Sequence, residues 1–249
     1  MRGIYLSFCE FVTIGDASFV GFRNYMDAFN DASFIHAFWY TALYAIVSLF
    51  IINVLAFLIA YLLTLGIKGA NLFRTAFFMP NLIGGIVLGY IWSMIFNGVL
   101  GKINTSILME TRYGFWGLII LMCWQQVGYM MIIYIAGLQA VPGELIEAAK
   151  IDGANYINCL FRIIIPHMKS VIAVTVSMCI IENFKQYPLF ATLTNGGPAG
   201  ATTTFAVLSY DEAFVNFNYG SGAAVTTIWL LMMIVVVFIF NKIFKQEEA

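Results

Sequence analysis

Glu182 and Lys185 stand three positions apart inside Val171–Leu193, a run otherwise long and apolar enough to be a membrane helix. At that spacing the two side chains share a helix face and can pair, and Gln186 lies one turn on from Glu182. Insertion scales charge about 2.5–3.5 kcal/mol for an ionised side chain at mid-membrane, so such groups turn toward protein or water rather than lipid. Two kinds of chemistry fit. One is a structural ion pair held between helices. The other is a polar wall in which Glu182, Asn183, Lys185 and Gln186 hydrogen-bond the hydroxyls of a passing solute, with Tyr187 and, on the preceding apolar run, Trp124 and Tyr129 as stacking surfaces. Counted from Ser170 at about 1.5 Å per residue, Glu182 falls roughly 18 Å and Lys185 roughly 22 Å along the helix, which is the far half of a bilayer.

Nothing elsewhere is spaced for bond-making chemistry. There is no GxxxxGK[ST] phosphate loop, HExxH or GxSxG. Cys9, Cys123, Cys159 and Cys179 follow neither metal nor disulfide-framework spacing, and His36 and His167 have no acidic or cysteine neighbour at ligand distance. The expectation is therefore a non-enzyme with no catalytic residue, no metal and no cofactor of its own.

The elements that position these residues are apolar helices. Only 10% of the 249 side chains are charged while 61% are hydrophobic, against about 25% and roughly 45–50% in ordinary soluble domains. The chain must be solvated by lipid, and a net charge of −1 implies no general attraction to nucleic acid. Crossing the hydrocarbon takes roughly 20 residues of helix. Phe38–Leu63, Thr75–Phe96, Phe115–Leu138 and Gly222–Phe240 qualify without a charge, and Val171–Leu193 is the fifth. Pro80, Asn81, Gly84 and Gly85 predict a kink in the second, while Gly220, Gly222, Ala223 and Ala224 predict close packing in the last. The fold class is an all-α polytopic helical bundle, one transmembrane domain over residues 1–249.

Short loops rich in Lys and Arg stay in the cytoplasm. Placing the loop at residues 139–170 inside collects Lys68, Arg74, Lys150, Arg162, Lys169, Lys242 and Lys245 there, and leaves Arg23, Lys102 and Arg112 opposite. The loop at 194–221 is then extracytoplasmic and the C-terminus cytoplasmic. The first residues read as no signal peptide. GIYLSF at Gly3–Phe8 reads as the last turns of an earlier helix, so a sixth span is expected ahead of the five.

The cytoplasmic loop reads as two short helices. Pro142 suits a first helical position, Glu144 and Glu147 suit the positive end of the helix dipole, and Gly153 suits a stop. Asn155 can cap a second helix that Pro166 ends. Ala148, Ala149 and Asp152 lie on or beside one face, whose short side chains permit close approach by another protein.

Glu147-Ala148-Ala149, three residues, Gly153, nine residues, Ile163, one residue and Ile165-Pro166 resemble the EAA loop of ABC importer permeases, with Ile165 where Leu is usual. Leu193-Thr194-Asn195-Gly196-Gly197-Pro198 is similar to the LTxGGP segment of the carbohydrate branch, the maltose-type and glycerol-3-phosphate-type permeases. Gly101-Lys102-Ile103-Asn104 and Tyr219-Gly220-Ser221-Gly222-Ala223-Ala224 also match that branch. The resemblance implies a permease of the bacterial inner membrane that moves a sugar or similar polar solute. It implies two ABC ATPase subunits carrying ATP and Mg, a second permease subunit and an extracytoplasmic binding protein as partners. Glu147, Ala148, Ala149, Asp152, Gly153 and Pro166 would form the coupling site, and Gly196, Gly197 and Pro198 would face the binding protein. Pro188 departs from the branch, where Asp is frequent. An ion-coupled secondary transporter using Glu182 is the alternative, disfavoured by the lack of an internal repeat.

Two outcomes follow. Cys159 is expected to react with a membrane-impermeant thiol reagent only after the membrane is opened, and Cys9 from outside if it is exposed. Gly153→Asp is expected to leave the protein in the membrane while weakening ATPase copurification and abolishing coupled uptake; normal values for both would remove the coupling assignment.

Overall fold

The computed structural model describes residues 2–245, the side chains of Ile14 and of residues 243–245 excepted, so the side chain of Lys245 lies outside the described residues. The main elements in chain order are α1 (Ala32–Thr64), α2 (Ala70–Phe78), α3 (Gly85–Leu100), α4 (Thr111–Ala140) and α5 (Gly143–Ile151). There follow α6 (Tyr156–His167), α7 (Lys169–Lys185), α8 (Tyr187–Leu193), α9 (Phe205–Tyr210) and α10 (Tyr219–Lys245). Among the described residues α1, α4, α10 and α3 with its following turn are each long and apolar enough to cross a membrane. A fifth span is available if α6 and α7, which meet at 73°, count as one.

Three expectations about these helices need correction, each at a proline. The run Thr75–Phe96 is a broken helix, not a kinked one. After α2 the chain makes a 3-10 turn, Met79–Leu82, then passes through extended backbone at Ile83 (ψ 131°) and Gly84 (ψ 137°) before α3 begins. Pro80 can donate no hydrogen bond, so the helical ladder cannot continue through it. The run Val171–Leu193 is likewise split at Gln186 (ψ 49°), with Pro188 in the first turn of α8, where a missing N–H costs nothing. Pro166 does not end its helix. A π turn at Leu160–Ile164 widens the backbone ahead of it, and the helix continues to His167 before bending into α7.

The chain forms two compact units. The first comprises the segment up to Val47, Gly84–Leu121 and Glu182–Val236; the second comprises Ser48–Ile83, Met122–Ile181 and the segment from Val237 on.

In the first unit side chains of α8 pack onto the bare glycine backbone of α3. Gly85 faces Pro188 and Leu189, and a Cβ on Gly89 would stand 1.7 Å from Thr192 Oγ1. Glycines four apart make a flat strip on α3, the small-residue geometry that lets membrane helices gain dispersion contact without a hydrophobic driving force. Phe34 and Ala37 of α1 pack with Phe205, Leu208, Val225 and Ile228 in the unit's core. The Phe205 N–H donates to Thr41 Oγ1 at 3.1 Å. Near the amino terminus Cys9 and Glu10 pair antiparallel with Phe19 and Ser18. This ribbon is held by buried Asn24, whose amide donates to the Ser7 and Cys9 carbonyls. Gly220 admits the Cys9 carbonyl to the start of α10, and Ala224 is fully buried, as the close-packing expectation had it.

In the second unit α4 is the central helix. Gly128 lies directly against the Phe77 carbonyl at the end of α2, and Gln125, one turn away, donates to the Ile83 carbonyl at 3.5 Å. Gly137 accepts Val171 and Met168 in the same manner. Tyr134 donates to Asn53 Oδ1 at 2.7 Å, and Asn53 donates back to the Leu49 carbonyl within α1.

All four native cysteines are buried. Cys159, 5% exposed, is a poor reporter of topology by labelling, contrary to expectation, and Cys9, at 0%, does not meet the condition of exposure set for it. The α4 contact has its own test. A Cβ at Gly128 would fall 1.8 Å from the Phe77 oxygen. Gly128→Val is expected to lower the melting temperature of the purified protein by about 5–10 °C, since overpacking costs about 1–3 kcal/mol. Gly98→Ala, with nothing within 4 Å of the new Cβ, should not lower it.

Candidate functional site

The loop after α4 folds into a projecting pair of helices. Pro142 is the N-cap of α5 rather than its first helical residue. At the other end Asp152 N–H returns to the Ala148 carbonyl and Gly153 N–H to the Lys150 carbonyl. Gly153 has φ +83°, a left-handed value that a side chain resists, so glycine is the residue this stop requires. Two residues later Asn155 caps α6, its side-chain oxygen accepting from Asn158 N–H at 2.8 Å. The sequence-based reading of both glycine and asparagine is thus the observed geometry.

Nothing on α5 is buried. Glu147, Ala148, Asp152, Gly153 and Pro166 are exposed and Ala149 is half-buried. Alongside them stand large apolar side chains open to solvent: Ile151 at 86%, Tyr156 at 75%, Ile157 at 65% and Phe161 at 62%. Exposed apolar groups this large, close in sequence, are the kind of surface that marks an interaction site. These four residues were not singled out from sequence, although an isoleucine ending a polar turn and Tyr-Ile opening the next helix was a readable signal.

Glu182 and Lys185 do pair, Nζ to Oε1 at 3.9 Å, at the end of α7 in the first unit. The side chains are open, 36% exposed for Glu182 and 61% for Lys185. A pair of that openness contributes at most about 1 kcal/mol in water, so fold stability does not explain its place in an apolar run. Gln186 and Tyr187 are half-buried at the break that follows. Asn183 is different: it is 5% exposed and turned into the protein, which leaves it to support the face rather than line it. Trp124 and Tyr129 belong to the second unit. Trp124 is 43% exposed, and the Tyr129 hydroxyl points to the Met178 sulfur at 3.8 Å.

The loop after α8 is tied down, not free. Asn195, Gly196, Ala199 and Gly200 all have positive φ, and Thr202 donates to the Gly197 carbonyl at 2.7 Å. His36 Nε2 lies 3.2 Å from the Ala201 carbonyl. Gly196 is buried, with Gly197 and Pro198 half-buried, so the residues a partner could reach are Asn195, Ala199 and Gly200. The glycines serve the turn.

A helical membrane protein broken at two prolines, with a projecting helix pair between its spans, is the fold of ABC importer permeases. The chain superposes with TM-score 0.80 on one from a bacterial ABC transporter involved in alginate import, at 17% identity over 99% of this chain and 88% of that one. A chain of the MetNI methionine ABC transporter gives 0.63 at 16% identity, covering 86% and 95%. At these identities the likeness concerns the fold alone.

Residues 52–247 match the family described as "Binding-protein-dependent transport system inner membrane component", and the chain belongs to that family. A probable starch degradation products transport system permease, AmyD of Thermoanaerobacterium thermosulfurigenes, is 36% identical over 99% of this chain and 87% of its own length. MsmF of Streptococcus mutans, a multiple sugar-binding transport system permease, is 28% identical over 100% and 89%. UgpA of Rhizobium meliloti, an sn-glycerol-3-phosphate transport system permease, is 31% identical over 88% and 78%. The protein is a transport subunit of an ABC importer and not an enzyme.

Proposed function

We propose that this permease moves a sugar or similar polar solute into the cytoplasm, driven by ATPase subunits that dock on α5. The observation that carries this reading is the helix pair at residues 143–167, which exposes Ile151, Tyr156, Ile157 and Phe161 on the same short stretch as Ala148, Ala149 and the left-handed Gly153. A cytoplasmic partner with an apolar groove would bury those side chains, and Glu147 and Asp152 would supply the polar rim. ATP and Mg would be held by two such ATPase subunits, and none by this chain.

A second permease subunit would face this one across the solute route, and an extracytoplasmic binding protein would deliver solute at the loop holding Asn195, Ala199 and Gly200. Closure of the ATPase pair would push the α5 knobs and exchange an outward-open for an inward-open route. Sugar is favoured as solute because AmyD and MsmF are described by sugars. Glu182, Lys185, Gln186 and Tyr187 would meet its hydroxyls in the first unit, Trp124 and Tyr129 would offer ring faces in the second, and Asn183 would hold the α7 face in place.

Orientation is tested at exposed positions, against a background of buried native thiols. Ile151→Cys should react with an impermeant maleimide only in opened membranes, and Val12→Cys, 71% exposed as Val, in intact cells. The reverse pattern would place α5 outside and end the docking proposal. For the solute route, Glu182→Gln combined with Lys185→Gln is expected to cut uptake about tenfold or more while leaving the amount of protein in the membrane and ATPase copurification unchanged. Undiminished uptake would make the pair structural.

A further inference from the structure

Two residues beyond Lys185 the first unit opens into a cleft of about 370 Å³. Its size is within the roughly 300–1,000 Å³ of small-molecule sites, and its walls are aromatic. The Tyr187 ring lies on Tyr210 with centroids 4.7 Å apart and planes 28° from parallel. Tyr210 meets Phe214 at 4.9 Å, Phe214 turns its edge to Tyr219 at 6.1 Å, and Tyr219 stacks on Phe11 at 5.8 Å. This ladder joins the start of α8, the end of α9, the π turn at Asp211–Val215 and the start of α10. Its rings are not used up by one another: Tyr210 is 41% and Phe214 58% exposed.

The polar groups of the cleft are hydroxyls. Ser209 and Thr226 lie within hydrogen-bond reach of each other and of the Gly222 carbonyl; their two protons satisfy two of these three contacts at a time, and oxygen lone pairs remain as acceptors. No Lys, Arg or His is among the described residues lining the cleft, and Asp211 follows Tyr210 directly. An anionic solute would find no cation here and a carboxylate close by. A lipid tail would be set against that carboxylate. Exposed aromatic carbon in one cleft with hydroxyl acceptors instead suits a pyranose, whose C–H face stacks on a ring while its edge hydroxyls donate.

We infer that this cleft is a subsite for one ring of a neutral saccharide, stacked on the exposed ring of Phe214. The inference rests on the sugar-permease reading and narrows it to neutral sugars over anionic solutes. The broken helix between α7 and α8 is what brings Tyr187 to the ladder, so the same break separates the polar face from the aromatic one.

The test uses the complete transporter, with its own partner subunits, in proteoliposomes. Maltotriose, raffinose and arabinotriose are the neutral probes, and glycerol 3-phosphate is the anionic one. The Phe214→Cys thiol should be labelled by maleimide and protected by whichever saccharide is transported, but not by glycerol 3-phosphate. Phe214→Ala should raise the apparent KM for that saccharide about three- to tenfold with the maximal rate unchanged, and Phe214→Trp should restore it. Transport of a saccharide without protection, or a thiol blocked with no sugar present because a partner subunit covers it, would overturn the subsite and leave the sugar-permease reading standing. Transport of glycerol 3-phosphate alone would overturn the narrowing to neutral sugars. Transport of none of the four would remove the sugar reading and the subsite together.

Discussion

Hydrocarbon offers no hydrogen bonds, and the architecture of this permease depends on that one constraint. A backbone group released from a helix in lipid must find a partner in the protein. The helices are nevertheless broken, at Pro80 and Pro188, and each break is sealed by a neighbouring backbone or side chain. Gln125 reaches the Ile83 carbonyl, and Gly128 allows α4 to close on Phe77. At the second break Gly85 and Gly89 let α3 approach α8 closely enough to cover it. The glycines of α3 and α4 are therefore the counterpart of the prolines, and neither set would be tolerable without the other.

What the breaks achieve is a change of direction within a span. An unbroken α7 would carry Glu182 and Lys185 on one continuous stripe with whatever followed. Interrupted at Gln186, the chain restarts as α8, with Tyr187 stacked on Tyr210 rather than continuing the α7 face. Polar and aromatic groups thus come from different elements, α7 for the first and α8 with its neighbours for the second. The bend of 73° between α6 and α7, with a π turn ahead of Pro166, likewise turns the loop's second helix away from the direction of the helix that follows.

The apolar surface is the other consequence of a lipid solvent. Side chains such as Trp39, Phe50 and Phe238, each more than 60% exposed, need no explanation beyond lipid contact. The same degree of exposure at Ile151, Tyr156 and Phe161 has a different meaning, because these residues sit beside Lys150, Asp152 and Arg162 in a loop built for water. Exposure alone does not distinguish the two cases; the charged neighbours do.

Where spacing alone sets the outcome, the amino-acid sequence was sufficient. Apolar runs of helical length located three unbroken helices, α1, α4 and α10, and the left-handed stop at Gly153 and the cap at Asn155 followed from local backbone chemistry. The GxxxG strip at Gly85 and Gly89 was equally legible and was passed over. Tertiary structure decided the rest, because it depends on which distant backbones meet. Pro80 and Pro188 could each have been a kink or a break, and only the presence of Gly128 or Gly89 on a neighbouring helix makes the break affordable. Asn183 and Lys185 are two positions apart, yet one is buried and the other open, a difference set by how α7 packs. The ladder of Phe11, Tyr187, Tyr210, Phe214 and Tyr219 joins residues up to 208 positions apart. No periodicity in a single segment encodes such a meeting; it exists only once the chain has folded.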